Sequence, residues 1–137
     1  MSIVTDFPSA TVARAKFKDI LDAASQGRAV TINRADQVFA VVDAEDLRES
    51  LTGSIRSRTE VAVEEGVWVG TVPGLPIAAE GEDLDDLTAE LVQALREYAE
   101  DWGNRLSRFP NHRQNRLLVQ LVQLSTDEQL ADWLAGE

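Results

Sequence analysis

The sequence predicts an α+β fold: a small helix–hairpin–helix unit, then a second β-hairpin leading to a long helix, then C-terminal helices. Three observations carry this reading. Apolar residues recur at helical spacing from Ala13 to Ala24 and again from Leu84 to Trp102. Two pairs of short β-branched or apolar runs, 29–33 with 38–42 and 61–64 with 67–72, are each joined by turn-forming residues. With 137 residues, the chain has room for one or two small domains.

The elements follow in order. Ser9 has the chemistry of an N-cap, and Ala13, Phe17, Ile20, Leu21 and Ala24 then share a helical face until Gly27 ends the pattern. The first hairpin turns at Arg34-Ala35-Asp36-Gln37. Asp43 caps a short helix through Leu47 and Leu51, which Gly53-Ser54 is expected to break. Residues 54–60 are polar and read as a linker. The second hairpin turns at Glu65-Gly66, and Pro73-Gly74-Leu75-Pro76 interrupts the chain before a short run at 77–79. Asp83, with Asp86 on the next turn, marks the start of the most regular helix, in which Leu84, Leu87, Leu91, Leu95, Tyr98 and Trp102 face one way. Gly103 closes it. Beyond Pro110-Asn111, Leu117, Leu118, Leu121, Val122 and Leu124 form another helical pattern. Ser125 and Thr126 then reset the chain, with Glu128 and Gln129 in capping-box positions ahead of Leu130, Trp133 and Leu134. The expected segments are 1–53, 60–103 and 104–137.

Composition limits the function. There is no cysteine, which removes disulfides, thiolate metal sites and cysteine nucleophiles and suits a reducing, cytoplasmic setting. No run of about 18 apolar residues is present, and the start of the chain lacks the pattern of a secretory signal. The net charge of −11 is unevenly spread. Residues 1–59 hold eight bases and eight acids, residues 60–103 hold twelve acids and the single base Arg96, and residues 104–137 hold four of each. A neutral front with clustered bases tolerates phosphates, whereas the acidic middle repels them and suits a basic protein. An enzyme is disfavoured by inventory, since the chain has no nucleophile elbow, phosphate-binding glycine loop or His-Glu-x-x-His helix. No cofactor or metal is expected: the acids at 82–86 lack EF-hand spacing, and the lone His112 reads as a surface residue.

Two stretches carry family resemblances. Residues 8–51, with Ala13-Arg14 opening an apolar helix, Gly27, the strand Val30-Thr31-Ile32-Asn33-Arg34 and the apolar strand from Val38, resemble the Phd/YefM antitoxins. Residues 60–102, with Gly66-Val67-Trp68-Val69-Gly70 and Gly81-Glu82-Asp83-Leu84 before the long helix, look like the core of HicB-type antitoxins. The resemblance implies an antitoxin of a type II toxin–antitoxin system that dimerises and binds operator DNA through its first domain and a toxin through the rest. The implied partners are operator DNA, a cognate RelE- or HicA-like ribonuclease and a second copy, as a homodimer or higher even oligomer, with no membrane.

On that resemblance, the candidate DNA-binding residues are Thr11, Arg14, Lys16, Lys18, Asn33 and Arg34. Arg14 has the planar fork that pairs with guanine, and the lysines suit phosphates. Arg14 and Lys18, four apart, are expected to share a helical face. The same cations also fit a plainly solvated surface. Candidate toxin-binding residues are Trp68, Trp102, Leu130, Trp133 and Leu134. Trp102 also falls on the core face of its helix, and Trp133 reads equally as core or as partner anchor. Glu64, Glu65, Glu80, Glu82, Asp83, Asp85 and Asp86 either steer a basic toxin or serve the helix N-terminus they surround. A second reading is an interaction module that dimerises without touching DNA.

Overall fold

A computed structural model describes residues 6–137. The chain divides into two compact units, Met1–Leu47 and Arg48–Glu137. No helix among the described residues is long and apolar enough to cross a membrane.

The first unit is a three-stranded sheet with two short helices. β1 (Asp6–Phe7) runs parallel to β2 (Val30–Arg34), and β2 pairs antiparallel with β3 (Gln37–Val41), Val30 facing Val41 and Arg34 facing Gln37. β1, two residues long, carries no periodicity a sequence pattern can reveal. Asp6 secures it: its Oδ1 accepts from Thr31 Oγ1 at 2.6 Å and from Asn33 Nδ2 at 2.9 Å. Ser9 caps α1 (Ala10–Ala15), its Oγ accepting from the Val12 N–H at 3.2 Å.

The single helix expected after Ser9 is two. The backbone leaves helical geometry at Lys16 (φ −117°, ψ 26°), and α2 (Phe17–Ser25) starts afresh. The buried stripe also differs from the expected one. Ala13, Ile20, Ala23 and Ala24 go inside, while Phe17 and Leu21, expected on the core face, are 60% and 48% exposed. Among the described residues the core is Phe7, Ala13, Ile20, Ala23 and Val30, edged by Ile32 and Val41. So few apolar side chains make a thin core, the size at which small units depend on further burial.

The second unit begins within α3 (Ala44–Ser54), which Gly53 does not interrupt. β4 (Glu60–Glu64), β5 (Val67–Val72) and β6 (Ile77–Gly81) form an antiparallel meander in that order. Its first turn is the tight kind favoured in hairpins, with Glu65 at φ 53° and Gly66 at φ 82°. Glutamate is a poor occupant of a left-handed position. Glu65→Asn is therefore expected to stabilise the second unit by roughly 0.5–1 kcal/mol, read as a higher urea midpoint by tryptophan fluorescence; an unchanged or lower midpoint would contradict this account of the turn.

Asp83 starts α4 (Leu84–Asn104) as expected: its Oδ1 accepts from Asp86 N–H at 2.7 Å, and Asp86 Oδ2 accepts from Glu82 N–H at 3.0 Å. The helix runs past Gly103. Leu87, Leu91, Leu95 and Tyr98 are buried, and α4 packs on β5 and β6 and against α6 (Arg116–Leu124) and α7 (Asp127–Ala135). A 3₁₀ turn (Leu106–Arg108) and α5 (Pro110–Arg113) connect α4 to α6. Thr126 and Gln129 complete the capping box that opens α7.

Two expectations are corrected here. Residues 54–60 do not behave as a free linker: Ile55 C=O accepts from Trp133 Nε1 at 2.8 Å, and buried Ser57 donates from Oγ to Leu134 C=O at 3.3 Å. Backbone acceptors bind this stretch to α7, and hydropathy does not register them. His112 is not simply a surface residue either. It is half-buried, with Nδ1 2.9 Å from Tyr98 Oη, which also accepts from Asn115 Nδ2 at 2.9 Å.

Candidate functional site

The candidate nucleic-acid face lies on the first unit. Thr11 and Arg14 project from α1, Lys16 sits at the break, Lys18 is in the first turn of α2, and Arg34 ends β2; all five are exposed. Arg14 and Lys18 do not share one continuous helical face, because the break at Lys16 puts them on separate helices. Lys18 is paired with Asp22 at 2.8 Å, and that hydrogen bond together with the carboxylate charge holds its ammonium above the usual lysine range. Both partners are open to water, so the pair is easily exchanged for a phosphate. Asn33 is different. Its Nδ2 donates to Asp6 Oδ1 and to Phe7 C=O at 3.2 Å, which commits the amide to holding β1.

The same unit exposes Val12, Phe17, Leu21, Val38, Phe39 and Val42. For a unit this small, that is a large share of its apolar side chains left in water. The hydropathy pattern did point to Phe17 and Leu21, but as core; within α2 the buried stripe is Ile20, Ala23 and Ala24.

The second unit holds the expected toxin-binding residues, and most are internal. Leu130 is fully buried, and Trp133 and Leu134 are nearly so. In the isolated chain their apolar turn packs α7 inside the second unit, so a toxin-anchoring role for these three stays a proposal. Trp102 is half-buried, with Nε1 donating to His112 C=O at 2.8 Å. Trp68, on β5, is partly exposed.

The acids also separate. All of these acids are exposed, but Asp83 and Asp86 cap α4, whereas Glu64, Glu65, Glu80 and Asp85 do not. Asp101 is hydrogen-bonded by Arg105 at 2.9 Å, which holds its carboxyl below the usual carboxylate range. No group of metal-ligating side chains occurs among the described residues. Sequence reasoning missed Val61 and Val63, which lie exposed between Glu60 and Glu64 on β4. The alternation of valine and glutamate was their signal, and it reads equally as a half-buried strand.

Comparison with known proteins bears on what these surfaces do. A PHD-like family model, described as antitoxin of toxin–antitoxin, RelE/RelB, TA system, matches residues 5–119 and so runs through both units. A crystal structure from Syntrophomonas wolfei subsp. wolfei, described as an antitoxin part of a proposed toxin/antitoxin system, has a similar fold. Its TM-score is 0.78 at 22% identity, covering 93% of this chain and 94% of that one. No curated protein matches the sequence.

Proposed function

This chain belongs to the PHD-like family of antitoxins of RelE/RelB toxin–antitoxin systems, and from that premise we propose that it neutralises its toxin by direct binding and represses its own operon as a DNA-bound dimer. Membership of the family implies a regulatory, non-enzymatic protein with a cognate toxin as partner. In this reading the first unit is the Phd/YefM-like dimerisation and DNA-binding part. The second unit, a meander followed by a long helix, is the HicB-like part that meets a RelE- or HicA-like ribonuclease in the cytoplasm.

The observation that carries the proposal is the separation of charge between the units. Arg14, Lys16, Lys18 and Arg34 are exposed on the first unit, while residues 60–103 carry twelve acids against one base. A phosphate backbone is tolerated at the front of the chain and repelled by its middle. The apolar side chains exposed on the first unit support dimerisation, and a twofold dimer matches a palindromic operator. Doubling a small set of cations gives useful affinity where one copy would bind weakly.

Arg14→Ala with Lys18→Ala tests the DNA half. The parent chain is expected to retard DNA from the promoter upstream of its own gene. The double variant should keep its circular dichroism and dimeric mass yet bind about tenfold to a hundredfold more weakly, the loss of one base-reading fork and one phosphate contact. If the parent itself fails to bind that promoter, repression is the wrong reading. A module that dimerises through Phe17 and Leu21 without touching DNA would then be favoured, as the exposure of those residues allows.

A further inference from the structure

We propose that the free edge of β4 is where the toxin is held: a cationic strand of the toxin adds to β4 and extends the β4–β5–β6 sheet. This rests on the antitoxin reading above and names the surface that reading leaves open.

Among the described residues, β4 is paired on one side only. It is the first strand of its sheet, bonded to β5 from Glu60↔Thr71 to Glu64↔Val67, so its outer edge presents unpaired backbone donors and acceptors. All five of its residues are exposed. The register makes its faces unequal. Val61 lies opposite Gly70 and Val63 opposite Trp68, and Gly70 is the position against which Leu87 and Leu91 of α4 pack. Val61 and Val63 therefore belong to the helix-covered face, yet they are 44% and 54% exposed. α4 covers β5 and β6 and stops short of β4. An added strand would continue the sheet and bring its own apolar side chains beside these valines.

Charge decides the occupant. On the other face β4 carries Glu60 and Glu64, Glu65 follows in the turn, and Glu80 lies in line with Ala62 across the sheet. The one base of the region, Arg96, is engaged by Asp127 and by backbone carbonyls and does not offset them. Two copies of β4 paired antiparallel along all five residues would set Glu60 against Glu64 twice. Like charges directly opposite one another destabilise a strand pair. A strand bearing Lys or Arg there turns both contacts attractive. The same glutamates thus reject a second copy and admit a basic partner.

The test uses the full chain and the protein encoded by the adjacent open reading frame. Amide hydrogen exchange is expected to slow across residues 60–64 when the two are mixed. Glu60→Lys with Glu64→Lys should weaken binding at least tenfold at low salt, with the difference shrinking as salt rises. Glu90→Lys with Glu100→Lys, an equal charge change on exposed positions of α4, should weaken it far less. Val61→Thr with Val63→Thr keeps the β-branched shape, and so the fold, but should still weaken binding several-fold. A complex that leaves exchange at 60–64 unchanged and tolerates the lysine pair overturns this site while the antitoxin reading stands. Absence of any complex, with no rescue of cells from the toxin, overturns the antitoxin reading itself. Slowed exchange at 60–64 in the chain alone, growing with its concentration, would give the edge to a second copy and also overturn the proposal.

Discussion

Gly81→Ala is expected to destabilise the second unit by about 3 kcal/mol, the upper end of what overpacking costs. A Cβ at this position would overlap the backbone nitrogen of Leu87, lie 2.8 Å from its Cα and 3.0 Å from the carbonyl carbon of Asp86. The first turn of α4 sits directly on the end of β6, and backbone held by its own capping bonds cannot rotate aside. Gly70 provides the comparison. There a Cβ would meet only methyl groups, Leu91 Cδ1 at 3.0 Å and both Leu87 Cδ atoms at 3.2 Å. Side-chain ends can give by a few tenths of an ångström, so Gly70→Ala should cost about 1 kcal/mol. Trp68, Trp102 and Trp133 are the chain's three tryptophans and all lie in the second unit, so urea melts followed by fluorescence report on it alone. Equal midpoints for the two variants would mean that the helix lifts freely from the strand, and the close-approach account would be wrong.

Arg96→Ala is expected to cost the same unit about 2–3 kcal/mol, as hydrogen bonds to charged groups typically do, and to lower its melting temperature by roughly 8–20 °C. The guanidinium reaches from α4 to the junction of α6 and α7. Nη1 donates to Val122 C=O at 2.6 Å, Nη2 to Ser125 C=O at 2.7 Å, and both Nε and Nη2 donate to Asp127 Oδ1. Val122 and Ser125 lie at the C-terminus of α6, where Val122 C=O also accepts from Ser125 N–H at 3.3 Å, and a cation there serves the helix end both by hydrogen bonding and by opposing the helix dipole. Arg96→Lys should recover less than half of the loss, because one ammonium cannot span the carbonyls of both residues. Asp127 is largely exposed, so Asp127→Asn should cost under about 0.5 kcal/mol. If Asp127→Asn is as damaging as Arg96→Ala, the ion pair rather than the carbonyl contacts holds the junction.

Much of this architecture was legible in the residues because it depends on local order. Asp83 and Asp86, Thr126 and Gln129, and the glutamate–glycine turn act over three or four positions, and each formed where its spacing placed it. What escaped was non-local. Asp6 and Asn33 meet across 27 positions to hold a strand too short to have a pattern. Ile55 and Trp133 meet across 78, through a carbonyl that carries no hydropathy signal. The candidate site divides the same way. Arg14, Lys16 and Arg34 are exposed, as charged residues near turns usually are. Leu130, Trp133 and Leu134 show an amphipathic turn that fits a core and a partner surface equally, and only their neighbours decide between them.

The sequence by itself determined the separation of charge and the helical and strand periods, because both are sums over adjacent side chains that need no folding to exist. The tertiary structure decided which apolar residues face inward. α2 buried Ile20, Ala23 and Ala24 and left Phe17 and Leu21 out, α7 took Trp133 in, and α4 left Val61 and Val63 on an edge strand. Burial depends on what arrives from elsewhere in the chain, and a period along one segment states only that a face exists, not what will cover it.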